Sequence, residues 1–225
     1  MKSFPEIKGN MGSLRELDLS ETDIIEVPSS IRHLHGLKTL KLSDCLNLVS
    51  LQVGICSLSS LQTLLMDGSL ELKAFLDINI GSLKALEWLD LSYCENLESL
   101  PDSICSLTSL QTLLLNGCSK LKAFPYINIG SLKALELLAL SYCENLESLP
   151  DSICNLTSLQ TLMLKECSKL KGFPDINIGS LKALKLLDLS YCENLTVFVV
   201  WPLFKLFCWM GVQNWKLFRI LILQI

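Results

Sequence analysis

The pattern LxxLxL recurs eight times along the chain and keeps nearly one spacing throughout. It opens at residues 14, 37, 61, 86, 110, 135, 159 and 184, at intervals of 23, 24, 25, 24, 25, 24 and 25 residues. Alternate units match best, so pairs of units form a 49-residue super-period. A long amphipathic helix would carry apolar residues every three or four positions without a break. This pattern instead resets with each unit.

In LxLxL, alternate side chains point to opposite faces, so each unit predicts one short, half-buried strand. Strands of successive units would stack in parallel about 4.8 Å apart. Leu86, Leu89, Leu91, Leu97 and Leu100 of one unit then meet their equivalents in the next. Full burial of a leucine is worth roughly 1.5–3 kcal/mol, but only where a neighbouring unit covers it. Arrays of such units fold and single units do not.

The return segments read as turns and short helical pieces. In LPDSICSLTSL (100–110), Pro101 ends the inward run, and Asp102 or Ser103 is placed to cap a brief helical turn. In FPYINIGSLKAL (124–135), Gly130 is placed where the chain turns. The extended unit, LxxLxLxx(N/C)xL, is the leucine-rich-repeat pattern. The fold class expected is therefore an α/β solenoid, a leucine-rich-repeat horseshoe. It should have a parallel concave sheet of about eight short strands and an irregular or short-helical convex side.

Residues 1–195 carry the repeat and 196–225 do not. The tail holds Lys205, Lys216 and Arg219 without an acid, so it is +3 within a chain whose net charge is −4. LTVFVVWPLFKLFCWMGV (195–212) approaches the roughly 18 apolar residues of a spanning helix, but Pro202 and Lys205 interrupt it. The tail is read as non-homologous sequence from a truncated reading frame, with a membrane segment as the alternative. The repeat begins in mid-unit and stops after Leu195, so a stretch of a longer protein is expected. The opening MKSFPEIKGNMGSLREL has no continuous apolar core of the kind a secretory signal needs. A cytoplasmic location with reduced thiols follows. An isoelectric point near 5.3 argues against nucleic acid as a partner.

Ten cysteines invite a chemical reading. Cys45, Cys94, Cys118, Cys143, Cys167 and Cys192 all fall at the N/C position, and Thr22 and Ser69 fill it in other units. Cys56, Cys105 and Cys154 share a second register. No CxxC exists and the closest pair is eleven residues apart, which disfavours zinc. The thiols are read as small buried side chains stacked as rungs. His33 and His35 read as exposed loop residues. Nothing in the chain spells a nucleophile with its base, a phosphate-cradling glycine loop or a buried carboxylate pair. No catalytic activity, cofactor or metal is expected.

The two copies of the 49-residue unit, 86–134 and 135–183, agree at 41 positions. Of the eight differences, five pairs fall where the alternation places outward-facing strand positions: Trp88/Leu137, Asp90/Ala139, Leu114/Met163, Asn116/Lys165 and Gly117/Glu166. A solvated face under relaxed constraint would vary in this way, and so would a recognition surface. The candidate protein-binding residues on the concave face are Trp88, Asp90, Leu114, Asn116, Met163, Lys165, Glu166 and Asp188. Tyr93, Tyr142 and Tyr191 join them, recurring in alternate units about 10 Å apart.

The segment FPEIKGNMGSLRELDLSETDIIEVPSSIRHLHGLKTLKLSDCLNL (4–48) and the repeated LDLSYCENLESLPDSIC form resemble one group. It is the leucine-rich-repeat region of plant TIR-type nucleotide-binding disease-resistance proteins. The resemblance implies a recognition domain that senses a pathogen effector or a host protein. It also implies intramolecular contact with a nucleotide-binding domain in a full-length parent. An intracellular leucine-rich-repeat scaffold and a membrane-tethered leucine-rich-repeat receptor are the other readings; a membrane is not the expected partner.

Overall fold

The computed structural model describes residues 4–9, 11–51, 53–72, 78–122, 128–172 and 180–195. The tail 196–225, with its membrane or reading-frame question, lies outside these residues.

Each LxxLxL unit yields one strand of three residues, beginning two positions after the opening leucine. The strands are β1 (Glu16–Asp18), β3 (Thr39–Lys41), β5 (Thr63–Leu65), β6 (Trp88–Asp90), β7 (Thr112–Leu114), β8 (Leu137–Ala139), β9 (Thr161–Met163) and β10 (Leu186–Asp188). They form one parallel sheet whose order follows the sequence. Each strand is aligned on its middle leucine: Leu40 lies opposite Leu64, Leu64 opposite Leu89, and Leu89 opposite Leu113. These leucines are fully buried. A slip of one residue would turn every one of them to solvent, so the apolar column fixes the register. Leu86, Leu91, Leu97 and Leu100 join the same continuous core, as their spacing predicts.

Two strands were not legible from the periodicity. β2 (Glu26–Val27) pairs in parallel with β4 (Ser50–Leu51) and forms a separate small sheet beside the first two units.

The return segments are 3-10 helices, and among the described residues no α-helix occurs. Five-residue pieces, such as Asp102–Ser106 and Asp151–Asn155, sit in the 24-residue units. Three-residue pieces, Ile80–Ser82 and Ile129–Ser131, sit in the 25-residue units. Segments this short cannot repay the nucleation of an α-helix, whereas a single 3-10 turn closes with one i→i−3 bond.

Two local expectations are corrected here. Neither Asp102 nor Ser103 caps its helix. Pro101 holds the N-cap position at φ −69°, ψ 145°, with no side-chain cap bond, and Asp102 is already the first helical residue. Gly130 is not at a turn but inside the 3-10 helix Ile129–Ser131. A Cβ there would run into the Ser152 carbonyl oxygen and the Cβ of Asn155 in the next unit. Glycine is required because neighbouring units approach so closely, not because of the dihedral it adopts.

The cysteine rung does more than fill space. Each of these thiols donates to the carbonyl of the leucine or methionine that follows the strand in the preceding unit. Cys94 Sγ reaches Met66 at 3.3 Å, Cys118 reaches Leu91 at 3.2 Å, and Cys143 reaches Leu115 at 3.1 Å. Cys167 reaches Leu140 at 3.1 Å and Cys192 reaches Leu164 at 3.0 Å. Cys45 does the same to Leu19, and Ser69 reproduces the contact with its hydroxyl on Leu42. From Met66 onward these carbonyls already accept the amide of their own unit's rung, as Leu91 accepts that of Cys94 at 3.3 Å, so the ladder adds a second donor that ties one unit to the next. All nine cysteines among the described residues are free thiols.

Burial pushes the Cys94 and Cys143 thiols up to about 12 and Cys192 to about 11, against a pull downward from the amide of the preceding rung. Burial also raises Cys118 and Cys167 well above their ordinary range. The thiols stay protonated at neutral pH, which is the state a donor needs.

Two outcomes follow. Cys118→Ala leaves the Leu91 carbonyl with only the Cys94 amide at 3.3 Å and should lower stability by about 0.5–1.5 kcal/mol in urea unfolding. Cys118→Ser should cost less, because Ser69 already performs the same task one rung type away. Folded pKa values raised above the unfolded value of about 8.5 stabilise fully below that pH, and the contribution is lost as pH climbs toward 11–12. The urea midpoint should therefore fall above about pH 9, and a Cys94→Ser, Cys143→Ser double variant should show a shallower fall.

Candidate functional site

The solvent-facing side of the eight-stranded sheet is built from the first and third residues of each strand, since the second points inward. Parallel register arranges these into two columns. In the first, Trp88, Leu137 and Leu186 alternate with Thr112 and Thr161. Trp88 is 42% and Leu186 43% exposed, large values for apolar side chains on a folded sheet. Strand spacing puts successive members of this apolar row about 10 Å apart. In the second column Leu65, Leu114 and Met163 are half-buried, and Ala139 is buried.

The face changes character along the array. In the first two units Lys41 pairs with Glu16 and lies 3.8 Å from Asp18. Exposed pairs of this kind contribute little to stability but keep that end polar. From the third unit onward the columns are dominated by apolar side chains and threonines.

The carboxyl ends of the strands lead into a turn, and its geometry is the same in every unit. The residue immediately before each rung is left-handed: Glu21, Asp44, Gly68, Tyr93, Gly117, Tyr142, Glu166 and Tyr191 have φ between 54° and 72°. Only in this conformation does the chain leave the sheet and drop the next side chain into the core within two residues. Gly68 and Gly117 adopt it without penalty, whereas a side-chain-bearing residue pays roughly 1–2 kcal/mol.

This turn corrects the placement of six sequence candidates. Tyr93, Tyr142, Tyr191, Asn116 and Glu166 are not on the strands, and Lys165 joins them in the turn. They form the rim at the carboxyl edge of the sheet. Tyr93 is 56% and Tyr191 71% exposed, because a left-handed residue throws its side chain away from the chain on either side. Trp88, Asp90, Leu114, Met163 and Asp188 do lie on strands with outward positions, as expected.

Three of the polar candidates are occupied with folding. Asp90 accepts the amide of Ser92 at 2.9 Å, and Asp188 accepts both the amide and the hydroxyl of Ser190. Asn116 accepts the amide of Ser141 across the unit boundary at 3.0 Å. These side chains brace the turn. Burial raises the Asp90 carboxyl above its ordinary range, the Ser92 hydrogen bonds oppose the shift, and the Asp67 charge adds to it.

The rim differs between the two copies in one coordinated way. The Tyr93 ring lies over Gly117, where an added Cβ would collide with ring carbons. In the second copy Asn116 and Gly117 are replaced by Lys165 and Glu166. The Lys165 ammonium then stands 5.4 Å from the Tyr142 ring centre and 5.7 Å from that of Tyr191. It is held between two aromatic faces, with Glu166 at 3.8 Å. The Tyr142 side chain beside it keeps the ammonium above its ordinary range.

Leu137 and Leu186 were missed as site residues. Both are the 49-residue equivalents of Trp88, so the register alone could have found them. His33 also departs from expectation: it is half-buried, and its Nδ1 lies 3.3 Å from the Ile7 carbonyl. His35 is exposed. Among the described residues no three His, Cys, Asp or Glu side chains cluster as metal ligands would. No helix among those residues is long and apolar enough to cross a membrane.

Comparison with known proteins agrees with this geometry. The Leucine Rich Repeat family profile matches residues 85–107. The chain is 36% identical over 83 residues to Disease resistance protein RPS4B of Arabidopsis thaliana, covering 37% of the chain and 7% of that relative. The leucine-rich repeat domain of the type III effector XopL superposes with a TM-score of 0.68 at 29% identity, covering 82% of this chain and 63% of that one. A leucine-rich-repeat protein of Leptospira interrogans gives a TM-score of 0.45 at 25% identity, covering 84% and 57%. In each case the match spans less than two thirds of the relative.

The strained rim makes one measurable statement. Tyr191→Gly should raise stability by about 1 kcal/mol in chemical unfolding, because glycine accepts the left-handed turn. Tyr191→Ala should give no such gain. Equal effects of the two changes would show that the ring's contacts, not the dihedral, set the balance.

Proposed function

We propose that this leucine-rich-repeat solenoid is a non-catalytic protein-recognition module of a plant intracellular immune receptor. Its ligand, a pathogen effector or a host protein, docks on the apolar part of the sheet face. The observation that carries the reading is the apolar row Trp88, Leu137 and Leu186, its two end members exposed and Leu137 half-buried, rimmed by Tyr93, Tyr142 and Tyr191. A face with no partner is expected to carry charge at such positions, as Glu16 and Lys41 do at the other end of the same sheet. Extended apolar faces edged with tyrosine suit protein partners, and solenoids present such faces along their length.

The similarity to a plant disease resistance protein supports the defence setting. The free thiols fit a reducing, cytoplasmic compartment. In a longer parent the solenoid would also touch a nucleotide-binding domain, and ligand capture would shift that contact by differential affinity.

Photo-crosslinking in plant cells tests the reading. A crosslinking amino acid at position 88 or 137 should capture a discrete partner during pathogen challenge, and one at position 102 on the return side should not. Trp88→Ala should then weaken the partner by about tenfold or more, which is about 1.4 kcal/mol. Identical adducts from positions 88 and 102, or none from either, would reject the sheet face as the docking surface.

A further inference from the structure

The duplication presents one pair of tyrosines with a cation between them and an equivalent pair without. Tyr93, Tyr142 and Tyr191 hold the same left-handed turn position in alternate units, so two equivalent gaps separate them. The unit between Tyr142 and Tyr191 supplies Lys165 and Glu166. Its ammonium lies 5.4 Å from one ring centre and 5.7 Å from the other. The unit between Tyr93 and Tyr142 supplies Asn116 and Gly117 at the same two places. Gly117 has no side chain to offer, and the Tyr93 ring settles against it. Asn116 is turned onto the next unit, where its amide oxygen accepts the Ser141 amide at 3.0 Å. The first gap thus has both rings and, from its own unit, no cation.

The spacing of the repeat suits a cation at this place. Residues two strands apart stand about 10 Å from each other, so a cation midway is within about 6 Å of both rings, the range of cation–π attraction. Lys165 meets that requirement inside the molecule. Tyr93 and Tyr142 are both exposed, so a side chain arriving from outside can reach them. The turns ahead of Tyr93 add to the preference, since they carry Glu21, Asp44 and Asp67 and no base. Asp67, one unit before Tyr93, accepts the Ser43 hydroxyl at 2.6 Å, a neutral donor that does not offset its charge. One strand spacing of about 4.8 Å is shorter than the screening length of about 8 Å at physiological salt. An apolar side chain in the gap would gain contact area but neither of these attractions.

We infer that the gap between Tyr93 and Tyr142 is a cation-binding notch, into which the docked protein inserts a Lys or Arg side chain as Lys165 inserts into the neighbouring gap. The notch edges the sheet face, and assigning it to the docked protein rests on that face being the docking surface. Docking excludes water from the notch, which strengthens the attraction of each ring for the cation. The partner therefore carries a basic side chain beside the apolar group that meets the Trp88 row.

Changes at Tyr93 test this without touching the core. Tyr93→Leu and Tyr93→Phe both keep a side chain at the left-handed position, so the strain of the turn is retained. A random heptapeptide display library is depleted on the Tyr93→Leu variant and then panned on the full wild-type chain, so that the peptides recovered need the ring. They should carry Lys or Arg. In fluorescence anisotropy they should bind Tyr93→Leu at least about fivefold more weakly, and Tyr93→Phe, which keeps the ring face, nearly as well as wild type. Replacing the peptide's Lys or Arg by norleucine should weaken wild-type binding by a similar factor. The same replacement should have little effect on Tyr93→Leu, because the two changes remove one contact. Recovery of no peptide, recovery of peptides without a base, or changes that combine independently overturns the inference. So does a wild-type dimer in sedimentation that Tyr93→Leu dissolves, since the cation would then come from a second copy. The sheet face has its own readout, because Trp88→Ala should also weaken these peptides. Peptides coupled to Tyr93 but indifferent to Trp88→Ala uphold the notch and reject the apolar row as the docking floor.

Discussion

A strand of three residues has no stability of its own, and everything in this molecule rests on what one unit does for the next. The middle leucines are buried only because the neighbouring strand carries its own leucine at the same level. The polar side of the same dependence is the thiol ladder. The carbonyl just past a strand, as at Met66, Leu91 and Leu115, accepts the amide of its own unit's rung, and the thiol of the following rung supplies a second donor across the boundary. Stability is then a sum over adjacent pairs, so damage at one interface is felt mainly there.

That requirement also decides where the surface side chains stand. A chain that must leave the sheet and enter the core within two residues passes through a left-handed residue, and all eight units do so. The side chain at this position is directed outward by the backbone, whatever its chemistry. Glycine at 68 and 117 shows that the turn can be made without strain. Tyrosine at 93, 142 and 191 is retained despite it, in the longest-conserved segment of the internal duplication. Strain kept where an unstrained residue is available in the same chain favours a use for the ring.

The apolar periodicity was sufficient to read eight units, their register and the burial of the rung, because burial of leucine acts through spacing alone. It was blind to features that arise between units. Gly130 was legible as a glycine but not as the place where Ser152 approaches, since that contact joins residues of different units. Asp90 was legible as a variable, outward residue but not as the acceptor for Ser92. The tyrosines were assigned to the sheet face because the strands were carried three residues past their ends, and the sign of φ leaves no mark in hydropathy. The pairing of Glu26–Val27 with Ser50–Leu51 was hidden for a related reason: two residues are too few to show a period.

Repetition itself turns these surfaces into a comparison that needs no second protein. A duplicated scaffold sets one expectation per position, and departures from it separate packing from surface. Core leucines and rung residues hardly depart between the two copies, because their partners are their own equivalents. Trp88 and Leu137 depart in size but stay apolar, whereas Leu46, Val49 and Val53 depart in kind from Glu95, Glu98 and Asp102. The first sort of change is what a single apolar face tolerates while its partner varies. The second removes charge from a solvated side, which lowers solubility and stabilises nothing unless something covers it.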